Sequence, residues 1–257
     1  MRSTRDNEVN HTAPESARPS GDELVWEALC HEALSAHGGN RTAEAVVLWR
    51  RAAGLTREFP AADPRRAASI SNEAMAWALE DALDRAEETF RVAADAWNDA
   101  RGWIETMQVR GTARSSLFHH RLEVRHRDSF GAHIRARYGR WIDGGLAATL
   151  FNHGVVLVSL DRDEEGRTQI ARAIELREQA SGGADPALAF MLRTLAGLCP
   201  LEADADGYLD RAGAAMSDPS PDDLERWKNG RPPQLDDVRR LLSAICLTAI
   251  FAEKDFL

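Results

Sequence analysis

The chain has 257 residues, 44% hydrophobic and 28% charged, with 18 Gly and 10 Pro; this excludes a collagen-like or wholly disordered chain and allows a sizeable core in one repeat domain or two globular ones. Asp and Glu number 41 against 32 Lys and Arg, a formal net charge of −9, which argues against general binding to nucleic acid or an anionic membrane. Cys30, Cys199 and Cys246 lie far apart without CxxC spacing, so neither a disulfide framework nor a zinc ribbon is expected.

Residues 1–20 carry Arg, Asp, Glu, Pro and Ser but no apolar stretch, which predicts a flexible tail and not a secretory signal. The longest run rich in apolar residues is 241–252, shorter than the roughly 20 residues needed to cross a bilayer. A soluble, cytoplasmic protein is the expectation.

Segments 22–36, 41–59, 65–79 and 82–100 place apolar residues three and four apart with polar residues between, the spacing of amphipathic helices. Turn signals fall between them and further on: Gly38-Gly39-Asn40, the 60–64 stretch with Pro at both ends, Gly182-Gly183 and Asp185-Pro186. No stretch alternates apolar and polar residues between hairpin turns. The predicted fold is all-α.

Within these helices one pattern recurs. A small residue is followed twelve positions later by a second, usually small one, after four more by a large one and after three more by Ala. The sets are Ala33, Ala45, Trp49, Ala52; Ala74, Ala86, Phe90, Ala93; Gly154, Gly166, Ile170, Ala173; and Ala196, Tyr208, Ala212, Ala215. Small residues let paired helices approach closely, and the large residue fills the space between successive pairs. The units are 41, then 80, then 42 residues apart. Reading the middle step as two periods predicts a fifth, degenerate unit around Arg114, His126, Phe130 and His133, of which only Phe130 fits the pattern.

This arrangement resembles the tetratricopeptide repeat superfamily, especially its long-period branch of about 42 residues found in kinesin light chains and many bacterial proteins. The resemblance covers roughly residues 22–219 and is carried best by Asn72-Glu73-Ala74 with Ala86, Phe90 and Ala93, and by Asn152-His153-Gly154 with Ala173 and Asp185-Pro186. It implies a right-handed superhelical solenoid of about five helix pairs over 21–220, with a degenerate basic repeat at about 103–145. It also implies a non-enzymatic adaptor that binds an extended partner along its concave face. Asn72 and Asn152 would then point into the groove and hold a ligand's backbone, with Ser71, Met75, Phe151, Val155 and Arg193 on the same face; alternatively both Asn residues bond a neighbouring helix.

The composition changes abruptly at 108–141. Eight Arg (110, 114, 121, 125, 127, 135, 137 and 140) face two acids, Glu123 and Asp128, a net +6 that leaves −15 on the rest of the chain. Such a band calls for an anion: an acidic peptide or protein surface, a phosphorylated small effector, or the chain's own acidic stretches 80–88 and 161–165. Arg110, Arg114, Arg121 and Arg125 are the candidate partner-binding cations, since Arg114, Arg121 and Arg125 recur at helical spacing and guanidinium groups grip carboxylates bidentately. Interleaved aromatics such as Phe118 and Tyr138 raise nucleic acid as a minor alternative.

His119, Glu123 and His126 share one helical face and form a weak metal-site candidate, flanked by arginines that repel a cation. A helical metal protein or enzyme built on them is the alternative of a different class. HExxH, P-loop, GxGxxG and GxSxG sequences are absent, so no catalytic residue and no cofactor are predicted. Residues 221–257 are expected to form a helical cap. Its last helix, 235–253, is apolar around much of its circumference, which suggests a homodimer through this helix or packing back on the solenoid.

Overall fold

A computed structural model describes residues 21–59, 61–106, 131–180 and 185–216. Among the described residues there are eight α-helices and no strand: α1 (Gly21–Gly38), α2 (Thr42–Leu55), α3 (Pro64–Leu79), α4 (Leu83–Thr106), α5 (Gly131–Ser159), α6 (Asp163–Ala180), α7 (Pro186–Leu198) and α8 (Glu202–Ala214). The all-α expectation holds. Consecutive helices pack as hairpins, α1 with α2, α3 with α4, α5 with α6 and α7 with α8, and each hairpin touches the next through α2 and α3, α4 and α5, or α6 and α7.

Helix starts follow from local chemistry. Asp63 caps α3, accepting a hydrogen bond from the Arg65 backbone N–H, and Pro64 occupies the first turn, where a missing N–H costs nothing. Asp185 caps α7 in the same way, accepting from the N–H groups of Ala187 and Leu188 ahead of Pro186. Arg177 on α6 also holds the Asp185 carboxylate, at 2.5 Å.

The first three hairpins close with the same turn. Asn40, Asp81 and Asp161 adopt left-handed backbone, with φ of 58°, 66° and 60°. The next residue's N–H then reaches back to a carbonyl of the last helical turn: Arg41 to Ala36 at 2.8 Å, Ala82 to Trp77 at 2.9 Å and Arg162 to Leu157 at 2.9 Å. This is the Schellman helix ending. Asn and Asp stand where Gly is usual because their short polar side chains tolerate this backbone better than other residues do. The three turns are separated by 41 and 80 residues, the same steps as the small–large–small pattern. The α7 to α8 connection is built differently, through extended backbone at Cys199 and Leu201.

The pattern residues occupy the interior. Ala33, Ala45, Trp49 and Ala52, then Ala74, Ala86, Phe90 and Ala93, then Gly154, Gly166, Ile170 and Ala173 are all buried. In the fourth set Ala196, Ala212 and Ala215 are buried, and Tyr208 is partly exposed.

Across the step of 80 residues the second and third hairpins are in direct contact. Among the described residues no helix pair lies between the second and third hairpins, and α4 packs directly on α5. The Trp97 indole N–H donates to Ser71 Oγ on α3 at 3.1 Å and to Thr149 Oγ1 on α5 at 2.9 Å, and the two hydroxyls are 2.8 Å apart. Gly145 seats the indole, since a Cβ there would lie 2.5 Å from its edge. α4 and α5 are the two longest described helices, with 24 and 29 residues. The two run antiparallel, with Trp97 beside Thr149 and Arg101 3.3 Å from Asp143. Residues 103–106 and 131–145 of the expected basic repeat therefore belong to α4 and α5, and 107–130 lie outside the described residues.

Two more corrections concern burial. Gly139–Ser159 is long and apolar enough to cross a membrane by length and composition, a stretch the sequence reading passed over; 83% of its apolar window is buried in the fold, as in a core helix. The polar-looking stretch after Pro60 holds a fully buried ion pair, with Arg65 Nη2 2.6 Å from Asp63 Oδ2. The guanidinium lies 4.4 Å from the Phe59 ring centre, and Trp26 closes the same region by donating to Ser69 Oγ at 2.8 Å. The tail 1–20 and the cap 221–257, with its dimer helix, lie outside the described residues.

Candidate functional site

The first helices of the second and third hairpins, α3 and α5, bring together the face on which a groove was expected. Met75, Phe151 and Val155 are fully buried there, and Asn72 and Asn152 are only 4% and 1% exposed. Both residues are engaged in interactions. Ser71, on the same face, is tied into the Trp97 and Thr149 hydrogen bonds. Phe151 meets Phe190 of α7 with ring centres 5.6 Å apart. These positions are therefore packed interior. Arg193 on α7 is partly buried and engaged, and its burial pulls the guanidinium pKa down from its ordinary value.

Arg110, Arg114, Arg121 and Arg125 lie outside the described residues, as do His119, Glu123 and His126. Among the described residues no group of three or more His, Cys, Asp or Glu could hold a metal ion. Of the eight arginines, Arg110, Arg114, Arg121, Arg125 and Arg127 fall between Thr106 of α4 and Gly131 of α5, and Arg135, Arg137 and Arg140 fall within α5. Near this end of the pair Arg140 is exposed, and Trp103 and Trp141 pack partly buried against the core.

Of the nine acids in the stretches 80–88 and 161–165, Glu80, Glu87, Glu164 and Glu165 have local cationic partners. Glu80 forms a bidentate pair with Arg50, whose guanidinium lies 3.9 Å over the Trp77 ring, with Arg85 on the same ring at 4.9 Å. Arg162 pairs with Glu165 through two 2.8 Å hydrogen bonds and approaches Glu87 at 3.6 Å. Glu164 lies 3.7 Å from Arg167.

One titratable cluster escaped the sequence reading. His153 of α5 is buried and stacks on Phe90 of α4, with ring centres 6.3 Å apart and planes inclined by 25°. Its Nε2 lies 3.4 Å from Glu87 Oε1, an ion-pair distance without hydrogen-bond alignment. Burial lowers the His153 pKa, opposed in part by Glu87. The hydrogen bonds from Arg162 hold the Glu165 carboxyl below its ordinary value. The sequence signal was available: Glu87 follows Ala86 and His153 precedes Gly154, so each neighbours a close-contact position of its hairpin.

Chemically, the arrangement does two things. It carries a cationic stretch between the ends of α4 and α5, and it places one exchangeable proton where α4, α5 and α6 meet. No protein-family model matches the chain, and no curated protein matches it.

Proposed function

We propose that the chain is a non-enzymatic, cytoplasmic protein-binding scaffold. In this reading its hairpins stack as a right-handed solenoid of the tetratricopeptide type, and its partner is an acidic peptide or acidic protein surface met by the arginines of 108–141. The observation that carries it is a charge imbalance in the sequence, eight Arg against two acids over 108–141, with five of the Arg between the end of α4 and the start of α5 and three within α5. Meanwhile Glu80, Glu87, Glu164 and Glu165 are occupied by Arg50, Arg162 and Arg167. An excess of cations kept in one place favours an external anion. Guanidinium groups bind carboxylates with charge-assisted, often bidentate, hydrogen bonds, which suits Arg110, Arg114, Arg121 and Arg125 to an acidic chain.

The solenoid part of the proposal is supported by the three equal Schellman turns and by burial of the small and large pattern residues at the same steps. Burial of Asn72 and Asn152 moves the weight of recognition onto the arginines, and Arg193 stays in the set as a partly buried cation.

Affinity capture from a native lysate tests the proposal, comparing the natural chain with an Arg121→Glu/Arg125→Glu variant and identifying captured proteins by mass spectrometry. An acidic partner retained by the natural chain and lost by an equally stable variant supports it. Identical captures contradict it.

A further inference from the structure

We propose that the junction of α4, α5 and α6 is a proton-operated joint: a proton on His153 draws the Glu87 carboxylate away from Arg162 and loosens the turn that closes the third hairpin. The parts are in place. Glu87 Oε1 is shared, lying 3.4 Å from His153 Nε2 and 3.6 Å from Arg162 Nη1. Arg162 is the residue whose backbone N–H completes the Schellman turn, and its side chain grips Glu165 in the first turn of α6. The imidazole cannot relax toward water, because its side chain is only 10% exposed and lies against Phe90.

The charged groups facing His153 are Glu87 and Arg91 from α4 and, from the α5 to α6 turn and α6, Arg162 and Glu165. Two cations and two carboxylates balance while the imidazole is neutral. Protonation adds a third positive charge in a largely desolvated space, and the nearest carboxylate is already shared with Arg162. Glu87 must then turn toward the imidazolium, since an unpaired buried charge costs far more than an exposed ion pair such as that of Arg162 contributes. Arg162 keeps only Glu165, and the turn that it closes loses one of its ties to α4. Burial supports the same direction, holding His153 neutral until the pH falls below the ordinary histidine range. The joint acts on the contact between the second and third hairpins, whose α4 and α5 carry the arginine-rich stretch. A pH-dependent display of that stretch rests on the binding reading above, but the joint itself does not.

The test uses the full chain. Histidine-labelled NMR follows the His153 ring from about pH 8 to pH 5, and amide hydrogen exchange is measured over residues 160–166 at both ends of this range. The expected result is a His153 titration below the ordinary histidine value, with exchange at 160–166, after correction for intrinsic pH dependence, rising about tenfold across it. Glu87→Gln should move the titration lower still and leave 160–166 exchanging fast at every pH. His153→Gln should leave it slow at every pH. The proposal is overturned if His153 of the natural chain titrates at or above its ordinary value, if exchange at 160–166 ignores that titration, or if a folded His153→Gln variant keeps the pH response.

Discussion

Gly154 of α5 and Gly166 of α6 meet backbone to backbone: a Cβ built on either would lie 2.7 Å from the other's carbonyl oxygen. The same Cβ atoms would also press on Ile170 and Val158, at 2.6 and 2.4 Å. Because the obstructing atoms include backbone, the helices must separate for Ala to fit. Gly154→Ala and Gly166→Ala should each destabilise the fold by about 1–3 kcal/mol, the usual cost of overpacking. The double variant should cost less than the sum, since one separation relieves both contacts. Gly207 in α8, with nothing within 4 Å of its Cβ position, is the control; Gly207→Ala should stabilise by about 0.5–1 kcal/mol. Chemical denaturation of the four variants checks the set.

Asp81 and Asp161 hold left-handed backbone at the ends of α3 and α5. Gly adopts this conformation without a Cβ clash, so Asp81→Gly and Asp161→Gly should be neutral or stabilising by up to about 1 kcal/mol. Val at either position should cost about 1–2 kcal/mol or more. Shifts in denaturation midpoint at constant slope read both effects.

Arg65 and Asp63 are both fully buried as side chains. Removing one member of such a pair leaves a charge in the interior, so Arg65→Ala should destabilise by about 3–5 kcal/mol. Lys should rescue poorly, because Arg65 reaches Asp63 through both Nε and Nη2, a fork that an ammonium group lacks. Thermal melts of the two variants provide the comparison.

His37 lies against Trp49, with ring centres 5.3 Å apart, and burial lowers its pKa. The folded chain therefore takes up this proton less readily than the unfolded chain. Stability is full above the ordinary histidine value of about 6.5 and falls as the pH drops from there through the depressed folded value. Denaturation midpoints measured from neutral to mildly acidic pH should decline in the natural chain and decline less in His37→Gln. The slope that remains contains the contribution of His153, whose pKa burial lowers in the same way.

Much of the packing was legible in the residues. A small residue, another twelve later and a large one after four more can be read directly, and burial of Trp49, Phe90 and Ile170 follows from that spacing. The predicted helices 22–36, 65–79 and 82–100 begin within one residue of α1, α3 and α4. What the spacing could not reveal was helix length. A step of 80 residues is compatible with an inserted pair or with two long helices, because periodicity fixes which residues face inward and says nothing about where the chain reverses. Trp97, which joins α4 to α3 and α5 by bridging Ser71 and Thr149, looks in sequence like any other large apolar residue. Arg65 was missed for a related reason: Pro-Arg-Arg after Asp63 has the composition of an exposed turn, and only the fold shows Phe59 and Trp26 closing over the guanidinium. Asn72 and Asn152 were found by their position beside Ala74 and Gly154, but the same position places them in the interior.

The most direct measurement is a titration of fluorescent polyglutamate peptide into the purified chain and into Arg121→Glu/Arg125→Glu, followed by anisotropy at low and high salt, with a melting curve for each protein. Scaffold recognition through the central arginines predicts saturable binding by the natural chain. It further predicts at least a tenfold loss in the variant, as expected for about 1.4 kcal/mol or more from charge-assisted contacts. Added salt should weaken binding by the natural chain, and the two melting temperatures should agree within about 2 °C. Equal affinity in both proteins, or a variant whose melting temperature collapses because the arginines hold the fold together, would contradict it.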